Sequence, residues 1–319
     1  MIPGRRRDTA ATAELFRLYG DPMSVPAVSD TRVRPPVTVL VAVLITITAW
    51  ASAFVAIRAV HAHFDAGPLA LGRLATGTIA LTLALLATRS WVKPTGREWA
   101  LVIGCGIVWF GFYNVALNAA EQRLDAGTSA MLVNVGPILI ALLAGAFLGE
   151  GFPRSLLIGI GVAFCGVLLI GFAGHGDTAA DPLGVALCLL SAAAWAIGVT
   201  LQKPALRRLP ALQVTQMACT VGMITTLPFT GGLIDDLRDA PAGSIAGVVY
   251  LGVVPTAVAF GTWAYALTRM NAGRLGVTTY LVPPLTILMA WPLLSETPHP
   301  LALAGGAIAL VGVALSRRR

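Results

Sequence analysis

Ten apolar segments of membrane-crossing length follow one another along the chain. A helix needs roughly 20 apolar residues to cross a hydrocarbon core about 30 Å thick. Only short connections separate the segments, which leaves no room for a soluble domain. We therefore predict an all-α membrane protein with ten transmembrane helices. The predicted helices lie at about 37–60, 68–88, 98–118, 126–148, 153–172, 182–202, 211–232, 243–267, 274–294 and 300–315.

The composition agrees with this prediction. Of the 319 residues, 56% are hydrophobic and 12% are charged, whereas about 25% of an average soluble chain is charged. So low a charge density cannot cover a water-facing surface, which excludes a soluble enzyme, a nucleic-acid-binding domain and a disordered protein. The net charge of +7 does not indicate nucleic acid, because the basic residues lie between apolar segments.

Positive charge in the connections predicts the orientation. Lys and Arg resist transfer across a membrane. Counted along the predicted helices, almost all of them fall in the tails and connections of one side of the membrane, and the opposite side has only Arg123 and Arg238. Residues 1–36 carry six arginines and lack the apolar core of a signal peptide. We predict a disordered cytosolic tail there, with a short surface helix at 10–19 as the alternative. Both termini are then expected on the cytosolic face of the cell (inner) membrane.

An internal repeat emerges when the sequence is compared with itself at an offset of about 145 residues. The two copies occupy 37–173 and 182–315, with five predicted helices each. Because five is odd, the second copy must cross the membrane in the inverted orientation. Inverted repeats with a site at their interface are typical of secondary transporters that work by alternating access. The landmarks that coincide are Trp50 with Trp195, Arg58 with Lys203, Pro137 with Pro283, Glu150 with Glu296, and 125–127 with 271–273.

Short motifs in both copies resemble those of a known family. They are WASAFVAIR at 50–58, LGE at 148–150, YLGVVPT at 250–256, WAYAL at 263–267 and YLVP at 280–283. Together they resemble the EamA-like members of the drug/metabolite transporter superfamily over roughly 37–315. The resemblance implies ten helices, cytosolic termini and the movement of small metabolites, often amino acids or related compounds and often outward.

Two positions depart from the family pattern. Leu74 stands where the family commonly has Phe after the arginine of the second helix, and Val282 stands where it has an acidic residue before the proline of the ninth. The second difference argues against a mechanism that needs a carboxylate at that place.

Two arginines, Arg58 and Arg73, fall within the predicted apolar segments. An arginine at a helix centre costs about 2.5–3.5 kcal/mol on insertion scales, so each is a candidate functional residue. Near the outer mouth they could attract the carboxylate of a metabolite. The alternatives are that Arg58 extends to the membrane surface and that Arg73 caps its helix or pairs with Asp65.

The carboxylates, Glu121 included, are predicted to lie in connections, at helix ends or in the tail. The sequence therefore predicts no buried proton carrier, and we hypothesise a facilitator or exchanger driven by the substrate gradient. Glu150 and Glu296 end equivalent helices. We expect them to act as latches at the membrane surface by pairing with Arg154 and His299 at helical spacing.

Aromatic and amide side chains are the predicted substrate contacts, because a site for a small organic molecule needs apolar walls and a few polar groups. An aromatic residue can instead face lipid or simply pack. The amides are the stronger candidates, since a primary amide in hydrocarbon must bond to another helix or face a wet cavity. The predicted substrate-binding residues are Trp50, Arg73, Trp109, Tyr113, Asn114, Asn134, Trp195, Trp263 and Tyr280, with Tyr265 as a further candidate.

No metal, cofactor or disulfide framework is predicted. The four cysteines lie singly within apolar segments, and the His-x-His-x-Asp string at 61–65 has no further ligand beside it. Motifs for ATP hydrolysis and for proteolysis are missing, so an enzyme is not expected. The expected partners are a small-molecule substrate and the lipid bilayer, with no nucleic acid, and the chain is expected to be a monomer or a homodimer.

These patterns predict a secondary transporter, an exporter of small metabolites such as amino acids or related compounds. One alternative is a lipid flippase or a membrane enzyme acting on an amphipathic lipid, which needs a lateral opening lined by basic residues. A second alternative is a structural or sensory membrane subunit, which needs no central cavity.

Overall fold

The computed structural model describes residues 36–147, 181–296 and 298–315, together with 154–155, 158–159, 161–162, 165–166 and 169. The predicted tail up to residue 35, the predicted latch residue Glu150 and most of the fifth predicted helix lie outside the described residues. Within the described ranges every regular element is helical, so the predicted all-α class is confirmed for that part of the chain.

Seven of the described helices, α1 to α7, are long and apolar enough to cross a membrane. The segment α8 is interrupted: it consists of Ala272–Thr278, the 3₁₀ turn Thr279–Leu281 and Val282–Leu294. The described residues between 154 and 169 are also helical. The remaining bounds are α1 Val37–Val60, α2 Ala66–Thr88, α3 Gly96–Glu121, α4 Ala126–Phe147, α5 Pro182–Ala205, α6 Ala211–Asp239, α7 Ala242–Leu267 and α9 Pro300–Leu315.

Polar side chains fix the starts of two of these helices. Thr95 and Glu98 form a reciprocal capping box at the start of α3, so each satisfies a backbone N–H group of the other. Asp125 accepts a hydrogen bond from the backbone N–H of Thr128 (2.8 Å) at the start of α4. Both caps explain why the helices begin close to the positions that the sequence predicts.

The helices are irregular at equivalent positions of the two repeat copies. A π-helical segment lies at Gly106–Phe112 in α3 and another at Gly252–Val258 in α7. The α-helical pattern also breaks at 134–135 in α4 and at Thr279–Leu281 in α8, a few residues before Pro137 and Pro283. A proline has no N–H group and crowds the carbonyl four residues earlier, so it interrupts the hydrogen-bond ladder there. These segments bring irregular backbone to the centre of the bundle.

Most of the close packing joins helices from the two copies of the repeat. In the first copy, α1 packs against α7 and α8, α2 against α6 and α7, α3 against α5 and α6, and α4 against α5 and α8. Large apolar side chains such as Leu83, Leu288 and Leu293 are exposed on the outside of the bundle. An apolar exterior around a packed interior is the arrangement that a lipid environment favours.

At each of the two opposite ends of the bundle, hydrogen bonds join segments that are far apart in the sequence. At one end Arg123 donates to Asp181 (3.3 Å). At the other end the backbone of Val92 exchanges two hydrogen bonds with the Gln213 side chain (2.9 and 2.7 Å). We call the first the outer end and the second the inner end, after the orientation predicted from the charges.

Candidate functional site

A small cavity lies at the centre of the bundle, where the irregular segments of α4 and α8 meet α1, α3, α5 and α7. Its volume is about 30 Å³, on a measure by which one water needs about 10–15 Å³. The structure therefore has this cavity in a contracted form, well below the size of a small-molecule site. It is lined by Trp50, Phe54, Trp109, Tyr113, Val133, Asn134, Trp195, Phe260, Thr279 and Val282.

Indole and phenyl rings form most of the wall. The ring centroid of Trp50 lies 5.8 Å from that of Trp195, 5.0 Å from that of Trp263 and 5.5 Å from that of Phe260. Tilted and edge-on contacts at these separations are the favourable arrangements for aromatic rings. The buried Nε1 atoms of the three tryptophans have no hydrogen-bond partner among the described residues. The wall thus offers large apolar faces together with unused N–H donors.

Two polar side chains meet at the helix breaks. The Thr279 hydroxyl donates to Asn134 Oδ1 (3.3 Å) and to the carbonyl of Gly276 (2.7 Å). Asn134 Nδ2 donates to the carbonyl of Ala130 (3.3 Å). These two side chains give the aromatic cavity a polar side that can bond a substrate group.

The structure brings together five of the predicted substrate contacts, Trp50, Trp109, Tyr113, Asn134 and Trp195, as lining residues of one cavity. Trp263 packs directly behind Trp50 and Trp195.

Besides Trp263, four of the predicted residues do not line the cavity. Tyr280 packs against Ile138, and Asn114 is buried with Nδ2 donating to the carbonyl of Phe110 (2.6 Å). Tyr265 lies further away, where its hydroxyl donates to Thr38 (3.3 Å). The fourth, Arg73, is buried between helices.

Five lining residues were missed by the sequence prediction. Phe54 lies one turn after Trp50, so helical spacing could have placed it on the same face. Val282 was considered only as a departure from the family pattern. No sequence signal separates the others from ordinary packing residues. The five are Phe54, Val133, Phe260, Thr279 and Val282.

Arg73 is buried in α2, with 2% of its surface exposed. Its Nε and Nη2 atoms both donate to the Thr256 hydroxyl in the π-helical segment of α7, each over 3.2 Å. The alternative that Arg73 pairs with Asp65 is therefore wrong. It fails because α2 crosses α7 at Arg73, which draws the guanidinium towards the helix interface instead of the connection.

Arg58 does more than extend to the membrane surface. Its Nε atom donates to Glu296 (2.6 Å) and its Nη1 atom donates to the backbone carbonyl of Glu121 (2.9 Å). The other oxygen of Glu296 accepts from the backbone N–H of Ala126 (3.3 Å). The predicted partner of Glu296, His299, is thus replaced by Arg58, because the start of α4 brings the carboxylate over α1.

Glu121 requires a second correction. The sequence prediction placed it in a connection or at a helix end without a buried role, but Glu121 is the last residue of α3 and its side chain is fully buried. In the same last turn, the Nδ2 atom of Asn118 donates to the carbonyl of Ala66 at the start of α2 (3.0 Å). The expectation that the chain buries no carboxylate is wrong, and with it the reason given for a facilitator or exchanger.

The inner end has its own ion pair. Arg208 donates through Nε to Glu98 Oε1 (2.8 Å) and through Nη2 to the other carboxylate oxygen. This bond to a carboxylate raises the pKa of Arg208. Lys203 donates to the carbonyls of Met270 (2.7 Å) and Leu267 (3.4 Å). These contacts fasten the inner ends of α3, α5 and α7.

The membrane-crossing helices and the cavity between them define a multi-pass membrane protein of the transporter class. The chain belongs to the EamA-like transporter family, whose model matches residues 37–172 and 182–318. A relative from Streptantibioticus cattleyicolor, named "Probable terminal-alkyne amino-acid exporter", is 35% identical over 282 residues, which are 87% of this chain and 93% of that protein. A relative from Salmonella typhimurium, named "Probable amino-acid metabolite efflux pump", is 25% identical over 85% of this chain and 91% of its own length.

The fold is also similar to a solved one. A protein known from a crystal structure aligns with a TM-score of 0.63 at 18% sequence identity, over 88% of this chain and 97% of that chain. At this identity the likeness shows the fold alone.

Proposed function

We propose that this protein is a secondary transporter that exports amino acids or related small metabolites from the cell. The family membership and the names of the two relatives support export of this class of compound. The aromatic wall of the cavity suits an apolar side chain of the substrate, and the polar side chains of Asn134 and Thr279 suit the polar part of the substrate.

The cavity is the observation that carries the proposal. Its lining comes from α1, α3 and α4 of the first repeat copy and from α5, α7 and α8 of the second. A site shared by two inverted copies faces one side of the membrane or the other when the copies change their relative position. The proposed architecture is ten helices in two inverted sets of five, at 37–173 and 182–315.

The proposed substrate contacts follow from the lining. Trp50, Trp109, Tyr113 and Trp195 surround the apolar part of the substrate, and Asn134 bonds its polar part. Contraction to about 30 Å³ means that these rings must separate before a substrate enters. Of the other predicted residues, Trp263, Asn114 and Tyr280 support this wall or border it.

The proposed setting is the cell (inner) membrane, with both termini in the cytosol and the protein as a monomer or homodimer. The separation of charges supports this orientation, because Arg207, Arg208 and Lys203 lie at one end of the bundle and Arg123 and Arg238 at the other, and the more basic end is expected in the cytosol.

Counterflow in proteoliposomes tests the proposal. Vesicles loaded with an unlabelled apolar amino acid should take up the same labelled amino acid in exchange, and metabolite profiles of the medium should show more of it when cells express the protein. Trp195→Ala should abolish counterflow. Trp291→Ala, a matched change at a tryptophan that is 65% exposed on the outside of the bundle, should not. Absence of counterflow for every amino acid, together with lipid exchange between leaflets, would favour a flippase instead.

A further inference from the structure

Three carboxylates lie near one another at the outer end, and two of them have structural partners. Glu296 accepts from Arg58 and from the backbone N–H of Ala126. Asp125 accepts from the backbone N–H and the hydroxyl of Thr128 (2.8 and 2.6 Å).

Glu121 is the exception. Neither of its carboxylate oxygens has a hydrogen-bond partner among the described residues, although the side chain is 0% exposed.

Arg73 is the matching donor. Two of its nitrogens donate to Thr256, and the third, Nη1, has no hydrogen-bond partner in the described part of the chain. Arg73 and Glu121 lie within electrostatic range of each other, but these two described side chains form no direct ion pair. A spare donor and a spare carboxylate therefore border the same buried region.

Leaving such groups unpaired is costly in a low-dielectric interior. Ionisable residues within a membrane bundle are for that reason functional candidates. A proton alone would satisfy Glu121 and leave Arg73 without an acceptor, whereas an anion alone would satisfy Arg73 and leave Glu121. A ligand that carries both an ammonium group and a carboxylate satisfies both at once.

Tyr113 connects this region to the central cavity. Its side chain lines the cavity, and it lies within electrostatic range of both Arg73 and Glu121. The other charged neighbours of Glu121 are Arg58, Glu296 and Asp125, all of which are already engaged. The spare pair thus lies beside the aromatic wall, on its outer side.

We propose that Arg73 and Glu121 form a polar subsite that binds the carboxylate and the ammonium group of a zwitterionic amino acid, whose side chain occupies the aromatic cavity. This subsite rests on the proposed export of amino acids. It adds a selection rule, because a compound that lacks either charged group leaves one buried residue unpaired.

The test compares three ligands that share a side chain. Counterflow with a panel of apolar amino acids comes first, since failure there removes the proposed function itself. The best amino acid is then compared with its decarboxylated amine and its deaminated acid as competitors; for leucine these are isoamylamine and isocaproate. The wild-type protein should bind each analogue at least about tenfold more weakly than it binds the amino acid, because one charge-assisted bond is lost.

Single substitutions should remove these preferences separately. Glu121→Gln should weaken binding of the amino acid about tenfold or more and leave isocaproate unchanged. Arg73→Gln should weaken binding of the amino acid to a similar extent and leave isoamylamine unchanged. Asp235→Asn, a matched change at an exposed carboxylate of α6, should keep the wild-type profile.

The double variant Arg73→Gln/Glu121→Gln keeps the region neutral, so it provides the test if a single variant does not fold. It should bind all three ligands with similar affinity. Equal weakening of all three ligands by Glu121→Gln, or a retained preference for the amino acid in the double variant, would overturn the proposal. So would a Glu121→Gln protein that keeps its ligand preferences but no longer responds to an imposed pH gradient, since Glu121 would then bind a proton.

Discussion

Arg58 and Lys203 make the same contact at opposite ends of the bundle. Arg58 donates to the backbone carbonyl of Glu121 (2.9 Å), and Lys203, about 145 positions later, donates to the carbonyl of Leu267 (3.4 Å). Leu267 follows Glu121 at nearly the same offset. In each copy a basic residue near the end of one helix therefore holds the end of another. This recurrence supports the proposal that the two copies share one fold in opposite orientations.

Arg58→Gln should destabilise the outer end, because it leaves Glu296 without its ion-pair partner. We expect a loss of about 1.5–3 kcal/mol, the range for hydrogen bonds to charged groups. Thermal unfolding in detergent measures it. A double-mutant cycle with Glu296→Gln should recover part of the loss; additive effects of the two changes would show that the contact does not contribute.

The matched control is Arg238→Gln. Arg238 forms an ion pair with Asp235, but the two side chains are 74% and 72% exposed. Exposed pairs contribute about 0–1 kcal/mol, so this change should leave the unfolding temperature nearly unaltered.

Gly136→Val should block transport. A Cβ atom at Gly136 would overlap the ring of Trp195, so a larger side chain must push this ring into the cavity. We expect counterflow to fall about tenfold or more, which corresponds to about 1.4 kcal/mol. Gly261→Val is the control, since a Cβ atom at Gly261 meets no neighbouring atom within 4 Å. Equal activity of both variants would show that the position of Trp195 is unimportant.

Asn134→Leu should weaken substrate binding more than it weakens the fold. The Thr279 hydroxyl keeps its bond to the carbonyl of Gly276 (2.7 Å) in this variant. Loss of the amide should therefore cost stability only about 0.5–1.5 kcal/mol. Competition for labelled substrate gives the affinity, and thermal unfolding gives the stability.

Thr286→Val is the comparison variant, which should change stability but not substrate affinity. Its hydroxyl is buried and donates to the carbonyl of Ala51 (3.2 Å), but it does not line the cavity. It should lower stability by a similar amount and leave substrate affinity unchanged. If Asn134→Leu behaves in the same way, Asn134 does not bind the substrate.

Asp181→Ala should reduce stability at neutral pH and lose its effect in acid. The backbone N–H of Leu183 is the main cause that lowers the pKa of the Asp181 carboxyl, and Gly184 and Arg123 add to it. A lowered pKa in the folded state means that the stabilisation is fully present above the ordinary value of about 3.9 and disappears as the pH falls through the lowered one. Unfolding temperatures of both proteins, measured from pH 7 downwards, should converge. A gap that stays constant would assign the effect to something other than the charge.

The apolar runs and the turn residues are sufficient to predict most of the described helices, because length and hydropathy decide whether a helix can cross a membrane. They do not predict that Glu121 at the end of α3 is buried, because its burial depends on how α3 packs against other helices, as in the bond from Asn118 to the carbonyl of Ala66 on α2. They also do not predict the π-helical segments, because hydropathy carries no information on the hydrogen-bond register.

The cavity could be predicted only in part. Trp50 and Asn134 stand out because large aromatic and amide side chains need a reason to lie within an apolar segment. Phe260 and Val133 do not stand out, because their presence in the wall depends on how the helices of the two copies meet. The roles of Arg73 and Glu121 depend on the same packing.

Labelling of a single cysteine in the cavity tests alternating access most directly. Val133→Cys, in a background where Cys105, Cys165, Cys188 and Cys219 are all replaced by Ser, places the one remaining thiol on the cavity wall. A membrane-impermeant maleimide should reach it from the outside in right-side-out vesicles and from the inside in inverted vesicles, and transported amino acid should slow both reactions. Labelling from one face alone, in a protein that still transports, would contradict a shared cavity that opens to each side in turn.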